Sequence, residues 1–389
     1  MSAVEVAPST PTNRAPGAGD EVRSLDVALL TPTFWPEVRR GAERFVHELA
    51  TGLRARGHSP RVLTSHPRPP SREVQDGMEV VRNWRPPDGR LLRRQYEDHL
   101  THLPFSYLEL LRGGADVAHA VQSADALAAV RWSRRTGRPA ILSYMGVPTR
   151  PYLVKRRGRA EMLAAAARGC AAVTALSRSA AEHFGHALGI EARVIHPGVD
   201  VAAFTPGSSD EQRSAVPTIF CPSAVDQPFK RVDLLIAALA EVRRVRPTTR
   251  LILSRPHDEG TAARFALEGV DLVDVDAHAA MVQAYRCAWV TALPSRGDAF
   301  GLVLVESLAC GTPVLGSDLG GIPEIVDRPD IGALFTGEEP RDVARGLLEA
   351  MELTEAAATP EACRRRALDF STDRCAAAYE ALYAELTGA

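Results

Sequence analysis

Short apolar runs alternate with helical segments along most of the chain, and this alternation strongly limits the folds that the chain can adopt. In the first half the apolar runs cover residues 25–30, 61–65, 117–121, 140–144, 172–176 and 193–196. From Ala42 to Leu53 the apolar residues recur at helical spacing, and Gly57 supplies a C-terminal stop. Uninterrupted apolar runs separated by helices are typical of parallel strands buried on both faces. We therefore predict an α/β fold with a doubly wound sheet.

A second cycle of the same kind follows, and a length of 389 residues suits two α/β domains better than one. Its predicted strands cover residues 218–221, 250–253, 272–275, 289–293 and 313–316, and its predicted helices include 232–245, 279–288 and a last helix near 372–386. The turn-rich segment 200–216 separates the two cycles. The predicted division is a disordered leader over residues 1–22, an N-terminal Rossmann-like domain over 23–205, a C-terminal Rossmann-like domain over 206–370 and a terminal helix over 371–389.

The most informative stretch covers residues 294–326, PSRGDAFGLVLVESLACGTPVLGSDLGGIPEIV. Its order of residues indicates a loop that opens a helix near Gly301, with Asp298 on the loop and Glu306 inside the helix. A helix N-terminus presents free amides and a partial positive charge, which together attract phosphate. Ionised carboxylates accept strong hydrogen bonds from hydroxyls. The stretch therefore predicts binding of polyhydroxylated groups beside a diphosphate.

This stretch resembles the signature of the GT4 family of retaining glycosyltransferases, which have the GT-B fold. The family pattern is a glutamate, seven residues and a second glutamate; here Asp298 replaces the first and Glu306 matches the second. The match continues through Gly311-Thr312-Pro313 and Gly320-Gly321-Ile322-Pro323-Glu324. The resemblance implies two Rossmann-like domains that face each other across a cleft, with a C-terminal helix crossing back to the first domain. It also implies that the second domain binds a nucleoside-diphosphate sugar.

The resemblance assigns roles around the donor. Glu306 would hold the nucleotide ribose, Asp298 and nearby amides the sugar hydroxyls, and Lys230 the leaving diphosphate. Lys230 falls on the lysine of a second family motif, but Ala224 stands where that motif has an arginine, and Arg231 is the candidate to compensate. The implied donor-binding residues are Gly41, Gly198, Lys230, Arg231, Asp298, Ala299, Phe300, Gly301, Leu302 and Glu306, of which Lys230, Asp298 and Glu306 are the catalytic candidates.

The first domain would bind the acceptor. The family motif of two glycines and a glutamate corresponds to Arg40-Gly41-Ala42-Glu43, so that one glycine has become an arginine. Arg39 and Arg40 would bind an anionic acceptor through their guanidinium groups. The alternative is that the two arginines form an ordinary basic pair on the protein surface.

A second departure from the family concerns the reacting sugar. Met145 stands where family members often have a histidine facing that sugar, and a thioether cannot carry a proton. Met145 and His119 complete the acceptor candidates, although His119 also fits a satisfied core histidine.

The composition of the chain limits the classes of molecule that we expect it to bind. A formal net charge of −2 argues against nucleic acid. The six cysteines form no metal-binding spacing, and Asp274-Val275-Asp276 lies outside the motif set, so we expect no metal and no cofactor beyond the nucleotide sugar as co-substrate. Without a membrane-spanning run or a signal-peptide core, we expect a cytoplasmic protein. The basic residues 150–159 fit contact with an anionic membrane or a phosphorylated acceptor, but we favour a solvated helix face.

These observations favour a metal-independent, retaining glycosyltransferase with a small-molecule or lipid acceptor. The resemblance implies a front-face substitution in which the leaving phosphate accepts the acceptor's proton. Two other functions stay open. Ala224 and Met145 support a sugar-nucleotide-binding protein with altered or lost catalysis, whereas the segment with Asp298 and Glu306 argues against a sugar-nucleotide epimerase of the same fold. The base (UDP, GDP or another), the sugar and the acceptor also stay open.

Overall fold

The computed structural model describes residues 23–38, 41–207 and 213–389. The predicted leader over residues 1–22 and the basic pair Arg39 and Arg40 lie outside the described residues. The described chain forms two doubly wound α/β domains, each built on one sheet, as the alternation of apolar runs predicts.

The first domain has an eight-stranded sheet. Its strands are β1 (Asp26–Leu30), β2 (Ser59–His66), β3 (Ser71–Gln75), β4 (Met78–Trp84), β5 (Val117–Ala120), β6 (Ala140–Tyr144), β7 (Ala172–Ala175) and β8 (Arg193–Val194). Its helices are α1 (Gly41–Ala55), α2 (Gly89–Arg93), α3 (Leu103–Gly113), α4 (Ser123–Thr136), α5 (Arg150–Val154), α6 (Arg159–Gly169) and α7 (Arg178–Leu188). The strand order is β3-β4-β2-β1-β5-β6-β7-β8, with β3 antiparallel to β4. The order reverses between β1 and β5, which opens a crevice at their carboxyl ends.

The second domain has a six-stranded sheet. Its strands are β9 (Thr218–Cys221), β10 (Arg250–Ser254), β11 (Val270–Val273), β12 (Val290–Leu293), β13 (Val314–Ser317) and β14 (Gly332–Phe335). The helices that follow are α8 (Val232–Val245), α9 (Glu259–Phe265), α10 (His278–Cys287), α11 (Leu302–Ala309), α12 (Pro340–Glu352), α13 (Thr359–Leu368) and α14 (Thr372–Thr387). The order is β11-β10-β9-β12-β13-β14, with parallel pairing throughout the described strands. Here the order reverses between β9 and β12.

Burial explains which strands the sequence predicts and which it misses. Every residue of β5, β6, β7, β9, β12 and β13 is buried, so these strands appear in the sequence as uninterrupted apolar runs. Strands β3, β4 and β14 were not predicted. In the edge strand β3, SREVQ, four residues are exposed and the fifth is half-buried, and β4 carries Glu79, Arg82 and Asn83 among its apolar residues. The predicted strand over 272–275 lies two residues earlier, as β11.

Helix α14 follows the second domain in sequence but packs on the first. Tyr379 and Tyr383 are fully buried against that domain. The Tyr383 hydroxyl shares a hydrogen bond with Nδ1 of His119 at 2.7 Å, and the Tyr379 hydroxyl shares one with Oγ of Ser143 at 2.8 Å. A Cβ atom on Gly52 of α1 would lie 2.7 Å from Cβ of Ala376, so a glycine is what lets the two helices approach. The predicted return of the last helix to the first domain is confirmed.

The basic segment 150–159 is not one solvated helix face. It divides into α5 and the start of α6, and Arg159 is buried. The Arg159 guanidinium is paired with the Glu97 carboxylate, which supplies the counter-charge that a buried guanidinium requires.

Candidate functional site

The reversal of strand order in the second sheet brings Lys230 and Asp298 together. Strands β9 and β12 are neighbours, and each of these residues lies on the loop that follows one of them. The Lys230 ammonium donates to both carboxylate oxygens of Asp298, at 2.7 and 2.9 Å. Both side chains are 17% exposed, so solvent reaches this pair. Ligands of open α/β sheets bind at such a reversal.

The N-terminus of α11 lies directly beyond this pair. Gly301 has a φ of +110°, a left-handed conformation that a residue with a side chain rarely adopts, and the helix begins at the next residue, Leu302. Phe300 is buried and anchors the turn, whereas Ala299 and Gly301 are half-buried. The local sequence thus presents backbone amides and a helix dipole close to Lys230, an arrangement that suits a phosphate.

Glu306 is fully buried one helical turn further along α11. The Arg44 guanidinium of α1 donates to one of its carboxylate oxygens, and the Tyr285 hydroxyl donates to the other at 2.7 Å. The charge of Glu306 raises the pKa of Arg44, while burial, followed by that charge, raises the pKa of Tyr285. Through the bond to Arg44 this carboxylate joins the two domains. Sequence reasoning missed both partners, although Arg44 directly follows the glycine–glutamate motif.

Arg231, the candidate to compensate for Ala224, is engaged by groups of its own domain. Its Nε donates to the Pro294 carbonyl at 2.6 Å, one terminal nitrogen donates to Glu338 at 3.1 Å, and its side chain is 9% exposed. Burial lowers its pKa. Ala224 itself is exposed. Arg231 is thus held by its own domain and supports the loop before Asp298.

A cavity of about 1030 Å³ lies in the cleft, beside these residues. Its walls are the loops at the carboxyl ends of both sheets, together with α5, α6 and the start of α7. Met145 lies in its lining, as the acceptor prediction requires, and packs against the cores of both domains. The lining also includes residues that sequence reasoning did not single out: Glu37, Arg85, Glu97, Asp98, His99, Tyr152, His183, Phe229, Arg296 and Leu319.

Among the predicted site residues, His119 lies away from the cavity, and its assignment as an acceptor residue needs correction. His119 is fully buried beneath α14, bonded to Tyr383 and to Ser143, and burial lowers its pKa to about 3. It is a neutral core histidine and does not contact the cavity. Gly198 packs against α14, because a Cβ there would lie 2.6 Å from Cα of Thr372, and its predicted contact with the donor stays a prediction. Gly41 opens α1, and nothing within 4 Å blocks a side chain there.

Glu48 is a second carboxylate at the domain junction. It lies one turn after Arg44 on α1 and accepts a hydrogen bond from the Thr372 hydroxyl at 2.9 Å. Burial raises its pKa to about 7; the charges of Asp200 and Glu306 also raise it, while Thr372 and Arg44 oppose the shift. The junction thus holds Glu48 and Glu306 beside Arg44, with Asp200 near Glu48.

Comparison with known proteins identifies the family. Residues 39–203 match the family model Glycosyltransferase Family 4, and residues 216–352 match Glycosyl transferases group 1. A protein of Nocardiopsis dassonvillei named D-inositol 3-phosphate glycosyltransferase is 30% identical over 352 residues, which cover 79% of this chain and 80% of that protein. The chain belongs to glycosyltransferase family 4. The same name is carried by a Mycolicibacterium smegmatis protein that is 37% identical over 193 residues, but there the alignment covers 46% of this chain and only 44% of the relative.

Solved structures show that this family-4 chain has the predicted GT-B architecture. Sucrose-phosphate synthase of Thermosynechococcus elongatus superposes with a TM-score of 0.78 at 20% identity, over 94% of this chain and all of that one. Anabaena HepE in complex with UDP and glucose superposes with a TM-score of 0.72 at 19% identity, over 93% of this chain and all of that one. At these identities the likeness concerns the fold. The roles of Lys230, Asp298 and Glu306 toward a donor stay predictions.

Metal-ligand clusters and membrane-spanning helices are absent from the described residues. No group of three or more histidine, cysteine or acidic side chains among them is placed to hold a metal ion. None of the described helices combines the length and the apolar character needed to cross a membrane.

The raised pKa of Glu48 makes the stability of the folded state depend on pH. The Glu48 carboxyl releases its proton near pH 7 in the folded state and near pH 4.5 in the unfolded state. Because the folded state binds the proton more tightly, the free energy of unfolding falls as the pH rises from 4.5 to 7. One pKa unit corresponds to about 1.36 kcal/mol, and we expect Glu48→Gln to be more stable than the unmodified protein at pH 8 by up to ~3 kcal/mol. Near pH 4.5 the variant and the unmodified protein should have nearly the same free energy of unfolding.

Urea unfolding at both pH values measures this difference. Glu385→Gln is the control, because Glu385 is exposed and its hydrogen bond with Arg193 lowers its pKa. A Glu48→Gln variant that is less stable than the parent at pH 8 would contradict the assignment.

Proposed function

We propose that this family-4 protein transfers a sugar from a nucleoside-diphosphate sugar to a small-molecule acceptor, with retention at the anomeric carbon and without a metal ion. One observation carries the proposal: Lys230, Asp298 and the N-terminus of α11 meet at the strand reversal of the second sheet, beside the cleft cavity. A cation, an acid and free amides at one point match the three chemical parts of such a donor: the diphosphate, the sugar hydroxyls and the leaving-group oxygen.

In the proposed reaction the diphosphate binds at the N-terminus of α11 with Lys230 beside it. The bond between the anomeric carbon and the phosphate oxygen breaks, and the acceptor oxygen bonds to the same face of that carbon. The acceptor's proton passes to an oxygen of the departing phosphate, so no protein base is required. Lys230 and the helix amides stabilise the negative charge that develops on the leaving group. Asp298 then accepts hydrogen bonds from the sugar once Lys230 turns to the diphosphate.

Glu306 would accept the ribose hydroxyls in this proposal. Both of its oxygens are engaged, by Arg44 and by Tyr285, so ribose binding requires Arg44 to yield at least part of its contact. Arg44 is half-exposed and can do so without leaving a buried cation unpaired. A uridine nucleotide is the first donor to test, because the fold neighbour HepE forms a complex with UDP-glucose.

A sugar-nucleotide-binding protein with altered catalysis is the second candidate. The observation in its favour is the arrangement around Ala224, where the family arginine is absent and Arg231 is held by Pro294 and Glu338. The loss of one cation at the diphosphate would reduce the rate of sugar transfer more than the affinity for the donor. Donor consumption in the presence of acceptors distinguishes a transferase from a binding protein.

Replacement of Lys230 tests the transferase directly. We expect Lys230→Ala to lower turnover of the UDP-sugar by roughly 10²-fold, the usual loss when one charge-stabilising donor is removed, with little effect on melting temperature. Lys155→Ala is the matched control, since Lys155 is exposed and is the only other lysine of the sequence. Release of UDP at the parental rate by Lys230→Ala would refute the role of Lys230.

Replacement of Glu306 tests the ribose contact. Glu306→Gln should weaken UDP binding by about 1.5–3 kcal/mol, because a charge-assisted hydrogen bond to the ribose is lost. Tyr285→Phe removes one partner of Glu306 but keeps the carboxylate, and it should retain most of the affinity. Calorimetric titration of both variants measures the difference, and equal affinities for UDP would contradict the assignment.

Metal independence has its own test. Transfer should continue in EDTA, because Lys230 and the amides of α11 occupy the place of a cation at the diphosphate. The rate in EDTA is compared with the rate after addition of magnesium or manganese. Restoration of a lost rate by either metal would overturn this part of the proposal and direct attention to Asp274 and Asp276.

A further inference from the structure

The charged groups described on the first-domain wall of the cavity are engaged with one another. Four carboxylates and two arginines line it: Glu37, Glu43, Glu97, Asp98, Arg85 and Arg159. His99 also lies there, and burial, reinforced by the charge of Arg85, lowers its pKa, so that this imidazole is neutral at pH 7. Glu37 pairs with Arg85, Glu97 with Arg159 and Asp98 with Arg156, so these charges compensate one another.

Both arginines on this wall already have partners. Arg85 donates to Oε1 of Glu37 at 2.7 Å and to the Pro32 carbonyl at 3.2 Å. Arg159 donates to Oε2 of Glu97 at 2.9 Å and to the Tyr152 carbonyl at 2.9 Å. Their side chains are 11% and 9% exposed. A phosphate would have to take such a guanidinium from a partly buried carboxylate, which would then lack its counter-charge.

Apolar side chains form the complementary part of the lining. Tyr152 from the first domain and Phe229 and Leu319 from the second are 42%, 46% and 43% exposed. Large apolar groups exposed together in a cleft mark a surface that a ligand covers. The Arg159 guanidinium lies 3.9 Å from the centre of the Tyr152 ring, so the pair with Glu97 also holds this ring at the cavity.

From this combination, and resting on the proposed function, we infer that the acceptor is a hydroxylated molecule with an apolar or aromatic portion and no phosphate group. The carboxylates of the first-domain wall accept hydrogen bonds from its hydroxyls, and Tyr152, Phe229 and Leu319 contact its apolar portion. The cavity volume of about 1030 Å³ accommodates such a ring system beside the donor sugar. The inferred acceptor differs from the inositol phosphate in the names of the curated relatives and from the anionic acceptor that Arg39 and Arg40 predict.

Two pairs of probe compounds test the inference on the full-length protein saturated with UDP. Calorimetry compares 4-nitrophenyl β-D-glucoside with methyl β-D-glucoside, and glucose 6-phosphate with glucose. We expect the aryl glucoside to bind about tenfold more tightly than the methyl glucoside, because its ring buries additional apolar area. Glucose 6-phosphate should bind no more tightly than glucose. A missing aryl preference, or a preference for the phosphate, overturns the inference.

Two variants test the residues that carry the argument. Tyr152→Ala should abolish most of the aryl preference, whereas Val154→Ala should keep it, because Val154 lies on the same helix, is 73% exposed and does not line the cavity.

Replacement of Glu97 tests the paired arginine. Glu97→Gln frees Arg159 and should increase the affinity for glucose 6-phosphate at least about threefold, while the affinity for methyl glucoside should not change. Glu385→Gln breaks an equivalent pair with Arg193 away from the cavity and should change neither affinity. An unchanged phosphate affinity in Glu97→Gln contradicts the inference.

The preceding UDP titration separates this inference from the function on which it rests. A protein that binds no UDP or other nucleoside diphosphate contradicts the proposed function. A protein that binds the nucleotide but prefers the sugar phosphate contradicts only the inferred class of acceptor.

Discussion

The candidate site depends on one constraint, the side-by-side placement of β9 and β12 in the second sheet. Because the strand order reverses there, the loops that follow these strands diverge to opposite faces and leave a crevice between them. Lys230 comes from one loop and Asp298 from the other, although 67 residues separate them in the sequence. Their ion pair and the N-terminus of α11 follow from this geometry.

The two domains are joined by contacts of two different kinds. Helix α14 provides an apolar and hydrogen-bonded seam, in which Tyr379 and Tyr383 are buried against the first domain. Beside it, Arg44 bridges to Glu306, and Glu48 accepts a hydrogen bond from Thr372. This seam does not involve Glu306, whose carboxylate is the group that a ribose would need in the proposed function. Donor binding and domain arrangement are therefore coupled through Arg44 in the proposed function.

The two sides of the cleft differ in chemistry in a way that fits two different substrates. The second-domain side offers Lys230 and helix amides, which suit a diphosphate. The first-domain side offers carboxylates, arginines that are already paired, and the exposed ring of Tyr152. An anionic donor and a phosphate-free acceptor can lie next to each other in such a cleft without competing for the same cations.

The sequence by itself determined the two doubly wound domains and the loop–helix segment with Asp298 and Glu306, while the return of the last helix was implied by the resemblance to the family. Apolar runs and helical spacing are local signals, and fully buried parallel strands display them most clearly. The sequence does not predict the edge strand β3, because its exposed residues form no apolar pattern. Only the tertiary structure decided the rest: that His119 is covered by Tyr383, that Gly198 serves α14, and that Arg44 and Arg159 already have carboxylate partners. These pairings join residues that lie far apart in the chain, and whether a charged side chain is free or paired is settled by packing, which no local pattern encodes.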